Sequence, residues 1–188
     1  MIYVEKSRRW IMSTTAFATE RLIIRRVAAS DWESIKQIWD DQKRSLYACY
    51  DKPNDTDPDV VRKRIEKWAS AENSMEHMFF AVCLKGIMIG YIAFNQRNTG
   101  YETGYCFHSE YQGKGYAKES LTALIAYVRN IQPGAVITAG TALANIPSVN
   151  LLHSIGFRLI DTERLSFYKD TAGQDIYFDG GIFELGAI

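Results

Sequence analysis

"YQGKGYAKES" (residues 111–120) places two glycines and a lysine directly ahead of an apolar repeat. Leu121, Leu124, Ile125 and Val128 follow at i, i+3, i+4 and i+7, the spacing of one helix face. Upstream, "GYETGYCFHSEY" (residues 100–111) reads as a strand that ends in polar residues. The unit is therefore strand, glycine loop, helix. Such a loop turns backbone N–H groups toward the positive end of a helix, where an anion such as a pyrophosphate is favoured. Gly113 and Gly115 keep side chains out of its way, and Ala117 adds little bulk. Lys114 either meets phosphate charge or faces water. A plain glycine turn before a helix satisfies the same ten residues, so the flanking segments must decide.

Two better-known phosphate motifs do not fit. A P-loop needs Gly-Lys-Ser/Thr at its end, and here Lys114 lies between Gly113 and Gly115. A dinucleotide fingerprint needs a third glycine where Lys118 stands, and it opens a βαβ unit. This chain opens with helices and a hairpin instead.

"ERLIIRRV" (20–27) reads as a first strand. Ser30 or Asp31 caps a helix carrying Trp32, Ile35, Ile38 and Trp39 on one stripe. The polar loop "DKPNDTDP" (51–58) separates it from a second helix with Val61, Ile65 and Trp68 on one face. "HMFFAVCL" (77–84), "KG" and "IMIGYIAFNQ" (87–96) form a hairpin. "GAVITAGTA" (134–142) is a small-residue strand. "NIPSVNLLHSIGF" (145–157) starts a helix that tolerates Pro147 in its first turn and stops at Gly156. Two closing strands flank the turn residues "TAG" (171–173). The chain is thus read as one α/β domain of mixed sheet over residues 19–188, with a loose extension over residues 1–18. Met12 in that extension is a candidate alternative start.

The 188 residues carry 22 Lys+Arg and 22 Asp+Glu, so overall charge gives no argument for nucleic acid or a membrane surface. No stretch approaches the roughly 18 to 20 apolar residues of a membrane span. Cys49, Cys83 and Cys106 are odd in number and far apart, without metal or CxxC spacing. They read as free thiols, which fits a cytoplasmic location. His77, His108 and His153 lack clustered carboxylates or cysteines, so no metal site is expected.

"QGKGYA" (112–117) resembles the Q/R-x-x-G-x-G/A signature of the GNAT superfamily of N-acetyltransferases. "NIPSVNLLHSIGF" resembles that family's second marker, an Asn opening a helix that ends in Gly-Phe. "TERLIIRRV" (19–27) and "YETGYCFHSEYQGKGYAKESL" (101–121) resemble its Rim-like subset, the ribosomal-protein N-terminal acetyltransferases. The resemblance spans about residues 19–185. It implies a GNAT fold: a mostly antiparallel twisted sheet with flanking helices and two splayed parallel strands, one ending near His108 and the other Val136 to Thr141. It also implies acetyl-CoA in the opening between them. Backbone of Cys106, Phe107 and His108 would pair with the pantetheine arm. The loop Gln112, Gly113, Lys114, Gly115, Tyr116 and Ala117 would hold the pyrophosphate, and Asn145 would touch the pantetheine end.

Acetyl transfer to an amine needs a base for the ammonium proton, a donor for developing oxygen charge and help for the departing thiolate. Glu102 matches the glutamate that serves as base in the Rim-like subset, acting through water, with Glu163 as the alternative. Glu110 reads as a surface residue. Many family members carry a tyrosine seven residues after the motif asparagine, but here that position is Leu152. Ser148, three residues after Asn145, matches the serine that faces the thiolate in the Rim-like subset. The expected activity is N-acetyltransfer from acetyl-CoA to a primary amine, a protein N-terminus or a small amine, by a monomer or homodimer. A polyamine, amino acid or aminoglycoside acceptor, or an acetyl-CoA sensor without turnover, fits the same motifs.

Overall fold

The computed structural model describes residues 16–186. The extension up to residue 15, Met12 included, lies outside the described residues. Eight strands form one sheet in the order β1-β2-β3-β4-β5-β6-β8-β7. They are β1 (Ala16–Ala18), β2 (Ile23–Arg26), β3 (His77–Leu84), β4 (Ile87–Arg97), β5 (Gly100–Phe107), β6 (Val136–Ala142), β7 (Arg158–Lys169) and β8 (Asp175–Leu185). Four helices flank it: α1 (Trp32–Gln42), α2 (Pro58–Ser70), α3 (Tyr116–Ile131) and α4 (Ile146–Ile155). The expected first strand is shorter than read. Ala16–Ala18, expected in the extension, instead add an edge strand antiparallel to β2.

The helical stripes do what their spacing demands. Leu121, Leu124, Ile125 and Val128 of α3 are all buried, together with Leu152 of α4, against Ile24, Phe80, Ile92 and Ile137 on one sheet face. On the opposite face Ile35, Ile38 and Trp39 of α1 and Val61 and Ile65 of α2 pack on Ala81, Cys83 and Met88. Asp57 caps α2 by accepting from the N–H groups of Asp59 and Val60. Asp31 stands at the start of α1 but does not cap it. Its carboxylate is claimed by both Arg25 nitrogens at 2.7 Å and by the Ala28 N–H at 2.8 Å. Asp31 holds the N-cap position, but these partners turn its carboxylate away from the first-turn N–H groups of α1.

All neighbouring pairs are antiparallel except β5 with β6. That parallel pairing runs only from Gly100↔Val136 to Thr103↔Ala139. β5 stays with β4 as far as Gly90↔Phe107, while β6 stays with β8 as far as Ala142↔Gly180. Beyond Thr103 and Ala139 the two strands therefore separate into a fork. Its root is tight: a Cβ added at Gly100 would lie 1.9 Å from the Val136 carbonyl oxygen. Backbone cannot yield there as a flexible side chain would. Gly100→Ala is expected to lower stability by about 3 kcal/mol, the upper end for overpacking, measured by urea unfolding.

Candidate active site

Backbone direction alternates along a strand, so each residue of β5 faces either β4 or the fork. The His108 N–H donates to the Ile89 carbonyl at 3.0 Å, which turns His108, and Cys106 by alternation, toward β4. Tyr105 and Phe107 face the fork. The Phe107 carbonyl already accepts from the Gln112 side-chain amide at 2.8 Å. Of the three strand positions expected to meet a ligand's backbone, the structure thus turns Phe107 toward the opening and adds Tyr105. Cys106 and His108 present their backbone to the sheet.

The fork leads to the glycine loop. Gly113 and Gly115 have φ of 70° and 81°, left-handed values that favour glycine. Tyr111 and Gln112 donate their N–H groups within a 3-10 turn, and Glu119 donates to the Gly115 carbonyl. Between them, the N–H groups of residues 113 to 118 donate to no acceptor among the described residues. They gather at the N-terminus of α3. A distant pair fixes this cradle. Arg21 donates to Glu119 through Nε at 2.7 Å and to the Lys114 carbonyl through Nη1 at 3.0 Å, with its guanidinium 4.5 Å above the Tyr116 ring. Burial disfavours the Glu119 charge, but hydrogen bonds from Thr19 and from the Arg21 backbone and side chain hold its carboxyl below the ordinary value. A phosphate anion fits such a cradle: the N–H groups are free, and a Cβ at Gly113 would meet nothing within 4 Å.

On the other arm of the fork, just past the end of β6, Asn145 caps α4 by accepting from the Ser148 N–H at 3.3 Å. The Ser148 hydroxyl lies 2.7 Å from the Tyr105 hydroxyl, which rises from β5. Burial pushes the Tyr105 phenol up to about 12, with the Ser148 hydrogen bond opposing the rise. Leu152 carries no hydroxyl and is buried in the core; the hydroxyl beside Ser148 comes from Tyr105 on the strand side. Tyr105 was missed in the sequence because its partner lies 43 residues away.

A cavity of about 410 Å³ opens over the fork. β5 and β6 contribute Tyr105, Cys106 and Gly140–Ala142, and loops and the β7–β8 hairpin supply the rest. Glu163 lines it, as does Asp51, which sequence reading left in a polar loop. Glu102 does not. It sits on the paired part of β5, bound by Arg97 through Nε at 2.9 Å and through Nη2. It shares the Cys106 face of the strand, about 13 Å away along β5. His108 and Ser109 pack against Asp41 instead of the fork: Ser109 donates to it through N–H at 2.7 Å and Oγ at 2.9 Å, and His108 Nδ1 lies at 3.9 Å. Glu110 donates its N–H to His108 beside the loop. Among the described residues no group of three or more His, Cys, Asp or Glu could hold a metal ion. No helix among them is long and apolar enough to cross a membrane.

A split parallel pair, an N–H cradle at a helix mouth and a hydroxyl pair thus lie around the open end of the fork. The chain matches the model for the GNAT acetyltransferase domain over residues 21–158 and belongs to that family. It is 29% identical over 151 residues to the uncharacterised N-acetyltransferase YnaD of Bacillus subtilis, across 80% of this chain and 84% of that protein. Its fold is similar to that of the ribosomal-protein-S5-alanine acetyltransferase of Vibrio fischeri, with a TM-score of 0.76, 19% identity and coverage of 92% and 96% of the two chains. It is also similar to the microcin C7 self-immunity acetyltransferase MccE, solved with acetyl-CoA and AMP, with a TM-score of 0.74, 16% identity and coverage of 89% and 93%. The chain is therefore an N-acetyltransferase that uses acetyl-CoA.

The thiols of the sheet are inert. Burial pushes Cys106 up to about 12 and raises Cys83, so both hold their protons at neutral pH, whereas Cys49 is exposed. Brief treatment of the folded protein with iodoacetamide at pH 8 is expected to alkylate Cys49 and spare Cys83 and Cys106, as read by peptide mass spectrometry.

Proposed function

We propose that the chain transfers acetyl directly to a primary amine, with no acyl-enzyme stage, and that it is related by its motifs to the Rim-like subset, whose protein acceptor it need not share. The observation that carries the transfer is the fork, whose inner edges lack strand partners and whose outer end meets the unpaired N–H groups of the loop. Direct transfer is supported by Cys106, the thiol at the cavity, which stays protonated. The subset is supported by Glu102 and Ser148, at the positions its motifs assign. Its acceptor class, a protein N-terminal amine, is one candidate and a small amine the other.

In this reading the loop N–H groups, Gln112 to Ala117, hold the pyrophosphate, and the fork-facing backbone of Tyr105 and Phe107 pairs with the pantetheine arm. Acetyl-CoA supplies an acyl carbon made electrophilic by its thioester. Tyr105 keeps its proton and donates it to Ser148 Oγ, which leaves the serine hydrogen free to face the fork. Ser148 then stabilises the negative charge that develops there. Asn145 holds Ser148 from the backbone side as the cap of α4. One ammonium proton must leave before the nitrogen attacks. The N–C bond then forms, the C–S bond breaks, and a second nitrogen proton goes to the sulfur. Glu102 takes the first proton through water. On β5 itself only Gly104 lies between Glu102 and Cys106 on that face, and a Cβ there would meet nothing within 4 Å, so no β5 side chain stands in the way of a water relay.

Two measurements test the reading. Calorimetry should show acetyl-CoA binding, and an Arg21→Ala variant should weaken it about tenfold by releasing the loop carbonyl; a protein indifferent to acetyl-CoA would refute the function. Glu102→Gln should slow turnover at saturating amine while acetyl-CoA binding holds, and an unchanged rate rejects Glu102 as the base. Ser148→Ala should cost about a hundredfold in kcat, the scale for losing one charge-stabilising donor. Tyr105→Phe should cost less, and little further once Ser148 is gone.

A further inference from the structure

We propose that the cavity beyond the fork is the acceptor site, that its occupant is a small organic amine with an aromatic or branched apolar body, and that Asp51 receives the ammonium group. The inference rests on the acetyl-transfer reading and narrows its acceptor.

Three rings make one wall. Tyr50 and Phe178 lie 5.3 Å apart by ring centroids, and Phe178 and Phe167 also 5.3 Å. All three line the cavity, are only half-buried, and belong to neither hydrophobic core. Aromatic surface held in a cavity wall and left part-exposed is what an apolar ligand covers.

The charge sits opposite. Asp51 accepts from the Gln42 side-chain amide at 2.7 Å, which fixes its carboxylate from the end of α1. No cation pairs with it among the described residues. Burial is the main cause that raises Cys106 and Tyr91, neighbours across β5 and β4, and the Asp51 charge adds to the rise of both. It therefore stands over the strand that bears Tyr105, at the fork where the acetyl group would be exposed. Asp51 is exposed as a residue, and the partial burial of its carboxyl raises it above its ordinary value, a penalty on the negative charge that a neighbouring ammonium would offset.

Two further charges line the space. Glu163 has no cationic partner among the described residues, and the Lys52 ammonium lies 5.6 Å from the Phe167 ring centroid. The rings thus already attract one cation. Lys52 opposes a second or third positive charge on the occupant, which disfavours an extended polyamine. The volume bounds the part of the acceptor that is enclosed. About 410 Å³ is near the low end for ligand pockets and must also admit the acetyl end, so it suits an amine of about ten heavy atoms.

The test compares 2-phenylethylamine, spermidine and a hexapeptide with a free N-terminus as acceptors for the full chain. 2-Phenylethylamine should give the highest kcat/KM, and a preference for the peptide or for spermidine overturns the proposal. Asp51→Asn should raise KM for 2-phenylethylamine at least tenfold with the acetyl-CoA dissociation constant unchanged; an unchanged KM overturns it. Phe178→Ala, which tests the ring wall independently of the charge, should raise KM for 2-phenylethylamine several-fold more than KM for ethylamine, and equal effects overturn the wall. Acetyl-CoA binding is measured in every arm. Its retention with a failed amine preference sinks only this inference, whereas its absence from the unmodified protein sinks the transfer reading itself.

Discussion

The parallel contact between β5 and β6 spans only four residue pairs, and every functional element hangs on its ending there. A longer ladder would satisfy the facing N–H and C=O groups of Tyr105, Phe107 and the outer half of β6. A shorter one would leave the sheet in two pieces. Four pairs hold the halves together and leave the rest of both edges without a strand. Unpaired backbone at the centre of a sheet is costly unless water or a ligand completes it. An extended ligand with amide groups completes it as a strand would, which is the physical basis for reading the fork as a site. Gly100 sets the root, since its missing Cβ lets the two backbones meet.

The same economy governs the phosphate cradle. Free N–H groups at a helix mouth bind an anion only if the loop is held with its carbonyls turned away. Here the holding comes from β2's approach: Thr19 and Arg21 both bind Glu119 on the first turn of α3, and Arg21 also takes the Lys114 carbonyl. One carboxylate thus ties the start of the domain to a loop almost a hundred residues later. Glu119 is negative beside a site for negative charge, but its ion pair with Arg21 leaves the local field to the helix and the N–H groups.

Most of the fold was legible because it rests on local pattern. The stripe from Leu121 to Val128, the apolar runs of β3 and β4 either side of a Lys-Gly turn, the Asn145 to Gly156 helix and the turn at residues 171–173 each declare themselves within a dozen residues. The parallel fork followed only through family resemblance, since no local pattern states which strands part. Asp31 was misread because its competitor, Arg25, belongs to the preceding strand. The cavity was the least legible part. Asp51 sits in a polar loop indistinguishable by composition from a solvated one. Phe167 and Phe178 lie in strands where an aromatic ring is ordinary. Their meaning comes from three segments converging on the fork, and convergence leaves no trace in spacing.

That division of labour has a chemical sense. The sheet brings groups that are neutral at working pH: Tyr105 and Cys106 both hold their protons, and the half-buried Tyr91 is bonded to the Trp39 indole N–H at 2.8 Å. Neutral donors at the fork stabilise developing charge without attracting a counter-ion that would have to be displaced. The charges and rings that would select an acceptor, Asp51, Lys52, Glu163, Phe167 and Phe178, lie on a loop and on the two strands of the terminal hairpin. A substitution among them alters the local field and shape while the β5–β6 ladder and the loop clamp stay as they are. The transfer machinery and acceptor choice are therefore separable in this fold, and it is the loop and hairpin that hold the second.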